Sequence, residues 1–133
     1  MEKFDVLKLF NQDKSTQLII DFINSGLAER KIFLTNLNGS LTSIIASQII
    51  KKSNFNNLFI LDSLEDALYF LDDLNNLNSD IKSYLLPSSD RIKSGDNNVI
   101  LERIEALNSI ITQKKTCIVT YPKAIKEKII EKK

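Results

Sequence analysis

Residues 31–50, KIFLTNLNGSLTSIIASQII, decide how the fold is read: an apolar run, a turn of asparagines and glycine, then an amphipathic run. KIFLT (31–35) is β-branched and aromatic without clean alternation, the pattern of a strand covered on both faces. Leu41, Ile44, Ile45 and Ile49 recur at helical spacing and form a stripe that needs a sheet to bury it. A strand, a glycine turn and a helix in this order is where a nucleotide-binding protein keeps its phosphate loop.

The chemistry of that loop is specific. It takes glycines that let backbone N–H groups converge on phosphates, a lysine for the β and γ phosphates, and a hydroxyl for magnesium. Set against residues 34–41, the second glycine is Gly39, but Leu34 stands at the first glycine, Ser40 at the lysine and Leu41 at the hydroxyl. Lys31 precedes the strand and Lys51 lies at the far end of the helix, so no shift of register brings a lysine to the turn. The loop Asn38, Gly39, Ser40, Leu41 is therefore expected to be a structural turn that holds no cofactor.

Working outward, three more runs read as strands: NLFILD (57–62), SYLLP (83–87) and TCIVTY (116–121). Between them Leu64, Ala67, Leu68, Leu71 and Leu74 mark one helix, and Ile100, Ile104, Leu107 and Ile111 mark another. Ser63 with Asp66 resembles a capping box that starts a helix directly after Asp62. Pro122 suits the first turn of a helix through KAIKEKIIEK. Ahead of the first strand, Leu18, Ile19, Phe22 and Ile23 give STQLIIDFINSG an inner face, with Gly26 as its C-cap. Alternation of this kind predicts an α/β fold, a parallel sheet of about four strands with helices on both faces, whose strand C-termini share one edge where function gathers. Residues 1–14 are read as a further helix or an arm, and 15–133 as one α/β domain.

Composition narrows the chemistry. The chain has 133 residues, 43% hydrophobic and 26% charged, enough for one core. Lysine and arginine number 18 against 17 acids, so a net charge of +1 supplies no general field for nucleic acid or an acidic membrane. There is no histidine, which excludes Ser-His and Cys-His catalysis within the chain. A single cysteine, Cys117, forms no internal disulfide and points to a reduced, cytoplasmic setting. Charges run through the first fourteen residues where a secretory signal needs an apolar stretch, and no run is long enough for a membrane span.

Taken together, LTNLNGSLTSIIASQIIKK, LFILDSLEDALYFLDDLNNL, YLLPSSDR, NVILERIEALNSI and TCIVTYPKAIKEKI resemble the N-terminal region of the bacterial transcription-repair coupling factors, the Mfd family, over about residues 30–130. The likeness is spread over many segments and rests on no single motif. It implies a domain similar to the first domain of the excision-repair protein UvrB, a helicase-type phosphate-loop fold whose loop is degenerate in this family and serves no ATP site. It implies further that the chain is a non-catalytic fragment of a larger ATP-dependent DNA translocase. Its partners would then be the rest of that parent and, through it, UvrA, RNA polymerase and DNA, with weak or no direct nucleic-acid binding by the fragment itself. None of the family's UvrA-contacting residues has a match here.

Other residues invite chemistry and have plainer readings. Asp62 ends a strand as a phosphoacceptor aspartate does, but Thr35 and Asn36 stand where the acidic pair of a phosphoryl site belongs, so it reads as a helix-start residue. Glu65, Asp66, Asp72, Asp73 and Asp80 form an acidic cluster, but the first four straddle one apolar stripe and read as its solvated face and not as a metal site. Lys123, Lys126, Lys128, Lys132 and Lys133 are interrupted by Glu127 and Glu131 and read as a solvated helix end. Arg91, Glu102 and Arg103 are expected to anchor the long loop SSDRIKSGDNN or to form a docking surface. The alternative function from another class is a small nucleotide-binding or phosphotransfer domain with a non-standard loop. It requires a cation at the Gly39 turn, and Arg91 is the one candidate.

Overall fold

The computed structural model describes residues 3–26 and 31–127, with side chains from residue 7 onward. Ten elements follow one another: α1 (Lys3–Asn11), α2 (Lys14–Asn24), α3 (Leu41–Lys52), β1 (Asn57–Ile60), α4 (Leu64–Leu77), β2 (Ser83–Leu85), α5 (Asp90–Lys93), α6 (Asn98–Thr112), β3 (Cys117–Thr120) and α7 (Pro122–Ile125). The three strands form one parallel sheet in the order β1-β3-β2. Its register places Asn57 and Ser83 on either side of Cys117. Both crossovers carry helices, α4 between β1 and β2, then α5 and α6 between β2 and β3.

Strand alternation separates two cores. Cys117 and Val119 face one side, where Ala46 and Ile50 of α3 join Ala67, Phe70 and Leu74 of α4. Ile118 faces the other side with Leu86 and Ala106 of α6. Helices therefore flank the sheet on both faces. α1 and α2 pack on α3. Phe59 joins the first core with its ring centroid 5.3 Å from that of Phe70.

The caps follow local chemistry. The Ser63 hydroxyl accepts from the Asp66 N–H at 3.1 Å and donates to the Asp66 carboxylate at 2.8 Å, which starts α4 two residues after Asp62. Asp13 accepts from the Thr16 N–H at 2.9 Å and opens α2. Gly26 takes φ 70° just past α2, the left-handed conformation that a helix-ending glycine supplies without steric cost. Pro122 occupies the first turn of α7. Helical structure is described only to residue 125, so the C-terminal part of the expected helix, with Lys128, Lys132 and Lys133, lies outside the described residues.

Two expectations are corrected. KIFLT is not a strand: residues 31–38 carry no regular structure, and among the described residues the sheet has three strands. A strand is defined by a hydrogen-bonded neighbour, and this run has none. Leu34 and Leu37 instead line a cavity of about 320 Å³ with Phe10, Ile19, Leu41 and Ile45, while Phe33 stays 86% exposed.

The second correction concerns helix faces. α6 buries Val99, Ala106 and Ser109 and leaves Ile100, Ile104 and Ile111 exposed. α2 buries Thr16, Ile19 and Ile20, with Leu18 exposed. In α4 the expected face is largely kept, with Ala67 and Leu74 buried beside Phe70 and with Leu64 and Leu71 packed against the first core, while Leu68 is exposed. α3 is covered by α1, α2 and α4 together, and so buries Ser43, Ser47 and Gln48 beside Ile45, Ala46 and Ile50. In α4 and α6 small residues are among those that meet the sheet. Ala67 and Ala106 are completely buried, and a methyl side chain lets a helix axis approach a sheet more closely than isoleucine does.

Candidate functional site

The parallel sheet brings the turns after all three strands to one edge, and two clefts open there with Asp62 on the ridge they share. The first cleft, of about 410 Å³, is the one under the glycine turn. Gly39 takes φ 58° and Asn36 φ 61°, so the connection into α3 uses two left-handed residues. A Cβ on Gly39 would meet nothing within 4 Å, so the glycine is required by its backbone conformation and not by any close approach. Ser40 precedes α3 without a side-chain cap.

The electrostatics of this cleft are opposite to those of a phosphate site. Asp62, Asp66 and Asp73 line it beside Gly39, and among the described residues neither a lysine nor an arginine does. The Ser43 hydroxyl in the first turn of α3 donates to Asp73 at 2.9 Å. An Asp73 carboxylate thereby sits at the first turn of α3, where its negative charge opposes that of a phosphate. Among the described residues no group of three or more His, Cys, Asp or Glu side chains is arranged to hold a metal ion.

The second cleft, of about 430 Å³, is lined by residues from all three strand ends, among them Asp62, Ser88, Asp90, Arg91, Tyr121 and Lys123. Lys123 pairs with Asp90 across it. The hydrogen bond from Lys123 holds the Asp90 carboxyl below its ordinary value, and the same bond raises the Lys123 ammonium above its own. Arg91 is held by Asp96 at 2.7 Å within its own loop. It lines this cleft and not the one under Gly39, so Arg91 is not the cation at the turn that the phosphate-binding alternative requires.

The floor of the second cleft is fixed by polar contacts that strand patterns do not show. The Ser88 N–H donates to the Tyr121 hydroxyl at 2.8 Å, and the Thr120 hydroxyl donates to the Leu86 carbonyl at 2.9 Å. Arg103 donates to the Pro87 carbonyl and pairs with Glu127 at 3.1 Å, while the Ser89 N–H donates to Glu127 at 2.8 Å. Arg103 and Arg91 thus hold the two halves of the loop that follows β2. Glu102 does not join them. It turns to a groove along the outer edge of β2 with Lys82 and Glu105, and its Oε2 is buried without a hydrogen-bond partner. Tyr121 and Glu127 are the residues that pattern reading missed. The apolar run around Tyr121 marks a strand, but nothing in it announces that the phenol reaches a neighbouring loop.

Cys117 is buried in the sheet centre, and burial pushes its thiol up. No helix of the described residues is long and apolar enough to cross a membrane. No family model, curated protein or solved structure matches the chain.

Proposed function

We propose that this chain is a non-catalytic scaffold and interaction domain, similar to the first domain of UvrB, with a degenerate phosphate loop of the helicase type. In this reading it belongs to a transcription-repair coupling factor of the Mfd family and helps link a stalled RNA polymerase to nucleotide excision repair. The observation that carries the non-catalytic part is the cleft under Gly39, which among the described residues is lined by three carboxylates and no cation. A triphosphate brought there meets like charge where a phosphate loop presents a lysine. The repair assignment rests on the segments between residues 30 and 130 that resemble the family. The parent supplies the partners, UvrA, RNA polymerase and DNA, and the fragment contributes surface and rigidity.

The test is calorimetric titration with Mg-ATP. The expected result is no saturable heat; saturable binding that substitution of Gly39 or Ser40 abolishes overturns the reading. The family placement is tested separately, by reading the gene on either side of these 133 residues. A helicase motor downstream supports it, and a gene without one sinks it.

A further inference from the structure

We draw no further inference here: the strongest candidate, the open side of the sheet where Leu58 and Ile60 of β1 remain 58% and 56% exposed, together with the bare Ile100, Ile104 and Ile111 stripe of α6, carries nothing because nothing in the structure shows what covers it.

Discussion

Asn75 on α4 closes the outer edge of the sheet by gripping Ser83 of β2 with both ends of its amide. Its carbonyl oxygen accepts from the Ser83 N–H at 2.8 Å and its amide nitrogen donates to the Ser83 carbonyl at 3.4 Å. The side chain stands in for the neighbouring strand that β2 lacks. Pro87 has no N–H to offer and Arg103 takes its carbonyl, so the far end of the same edge is occupied as well.

Replacing Asn75 with alanine removes both bonds and leaves the partly buried Ser83 amide unpaired. The expected loss is about 1–3 kcal/mol of unfolding free energy, the cost of a desolvated backbone group without a partner. Urea denaturation of Asn75→Ala against the parent chain measures it. A loss below about 0.5 kcal/mol means that water replaces the amide and the edge is not sealed by this residue.

Lys115, just before β3, reaches the end of α3, where its ammonium donates to the Ile50 carbonyl at 2.6 Å and the Ser53 carbonyl at 3.0 Å. A cation at the C-terminal carbonyls complements the helix dipole and satisfies acceptors that a helix end leaves open. Lys115→Met keeps the aliphatic stem and should destabilise by about 1–2 kcal/mol. The change should concentrate in faster amide exchange over the last turn of α3. Unchanged exchange there refutes a capping role.

Gln48 is completely buried, and neither its Nε2 nor its Oε1 has a hydrogen-bond partner. An unpaired buried amide is expensive, and an apolar side chain of similar volume removes the penalty. Gln48→Met is therefore expected to raise stability, by about 1–2 kcal/mol. A destabilised variant would show instead that the amide is served by ordered water between the helices.

Proton linkage gives two opposed limbs. The folded Asp90 carboxyl lies below its ordinary 3.8, so its contribution is present above that value and is lost as pH falls through the lowered one. The folded Lys123 ammonium lies above 10.5 and the buried Cys117 thiol above 9.0, so their contributions are complete below those values and are lost as pH rises through the raised ones. The Asp90–Lys123 pair is open to solvent, so its share is small and screened by salt. Asp90→Asn should differ from the parent chain at neutral pH and low salt, and converge with it in strong acid. Native Cys117 should react with an aromatic disulfide reagent at pH 8 only after denaturant exposes it. Prompt reaction in the native state would contradict its burial.

Much of the architecture could be read without a structure because it is local. The three runs around residues 57–60, 83–85 and 117–120 are apolar and flanked by turn chemistry, and each forms a parallel strand. Ser63, Pro122 and Gly26 mark helix limits through bonds or backbone angles that involve only their near neighbours. The poverty of the Gly39 turn in lysine is likewise visible in the residues on either side of it.

The helix faces were less legible for a physical reason. α6 is apolar on more than one side, and periodicity favours the large side chains Ile100, Ile104 and Ile111 over Val99, Ala106 and Ser109. Contact with the sheet selects the smaller residues, because they permit the closer approach. The same applies to the candidate site. Arg91 and Arg103 stand out in the chain as charges near a long loop, but while Arg91 meets Asp96 within that loop, the partner of Arg103, Glu127, is chosen by how α6 and α7 converge.

The amino-acid sequence by itself determined the alternation of strands and helices from residue 57 onward, the places where helices such as α4 and α7 begin, and the absence of histidine and of a lysine at the glycine turn. These depend on backbone preference and residue identity alone, so they hold whatever the chain packs against. Only the tertiary structure decided that KIFLT lies outside the sheet, that Asp62, Asp66 and Asp73 share the cleft under Gly39, and that Tyr121 pins the loop after β2. Strand pairing, clustered charge and a phenol reaching Ser88 are properties of segments far apart in the chain, and they come into being only when folding brings those segments together.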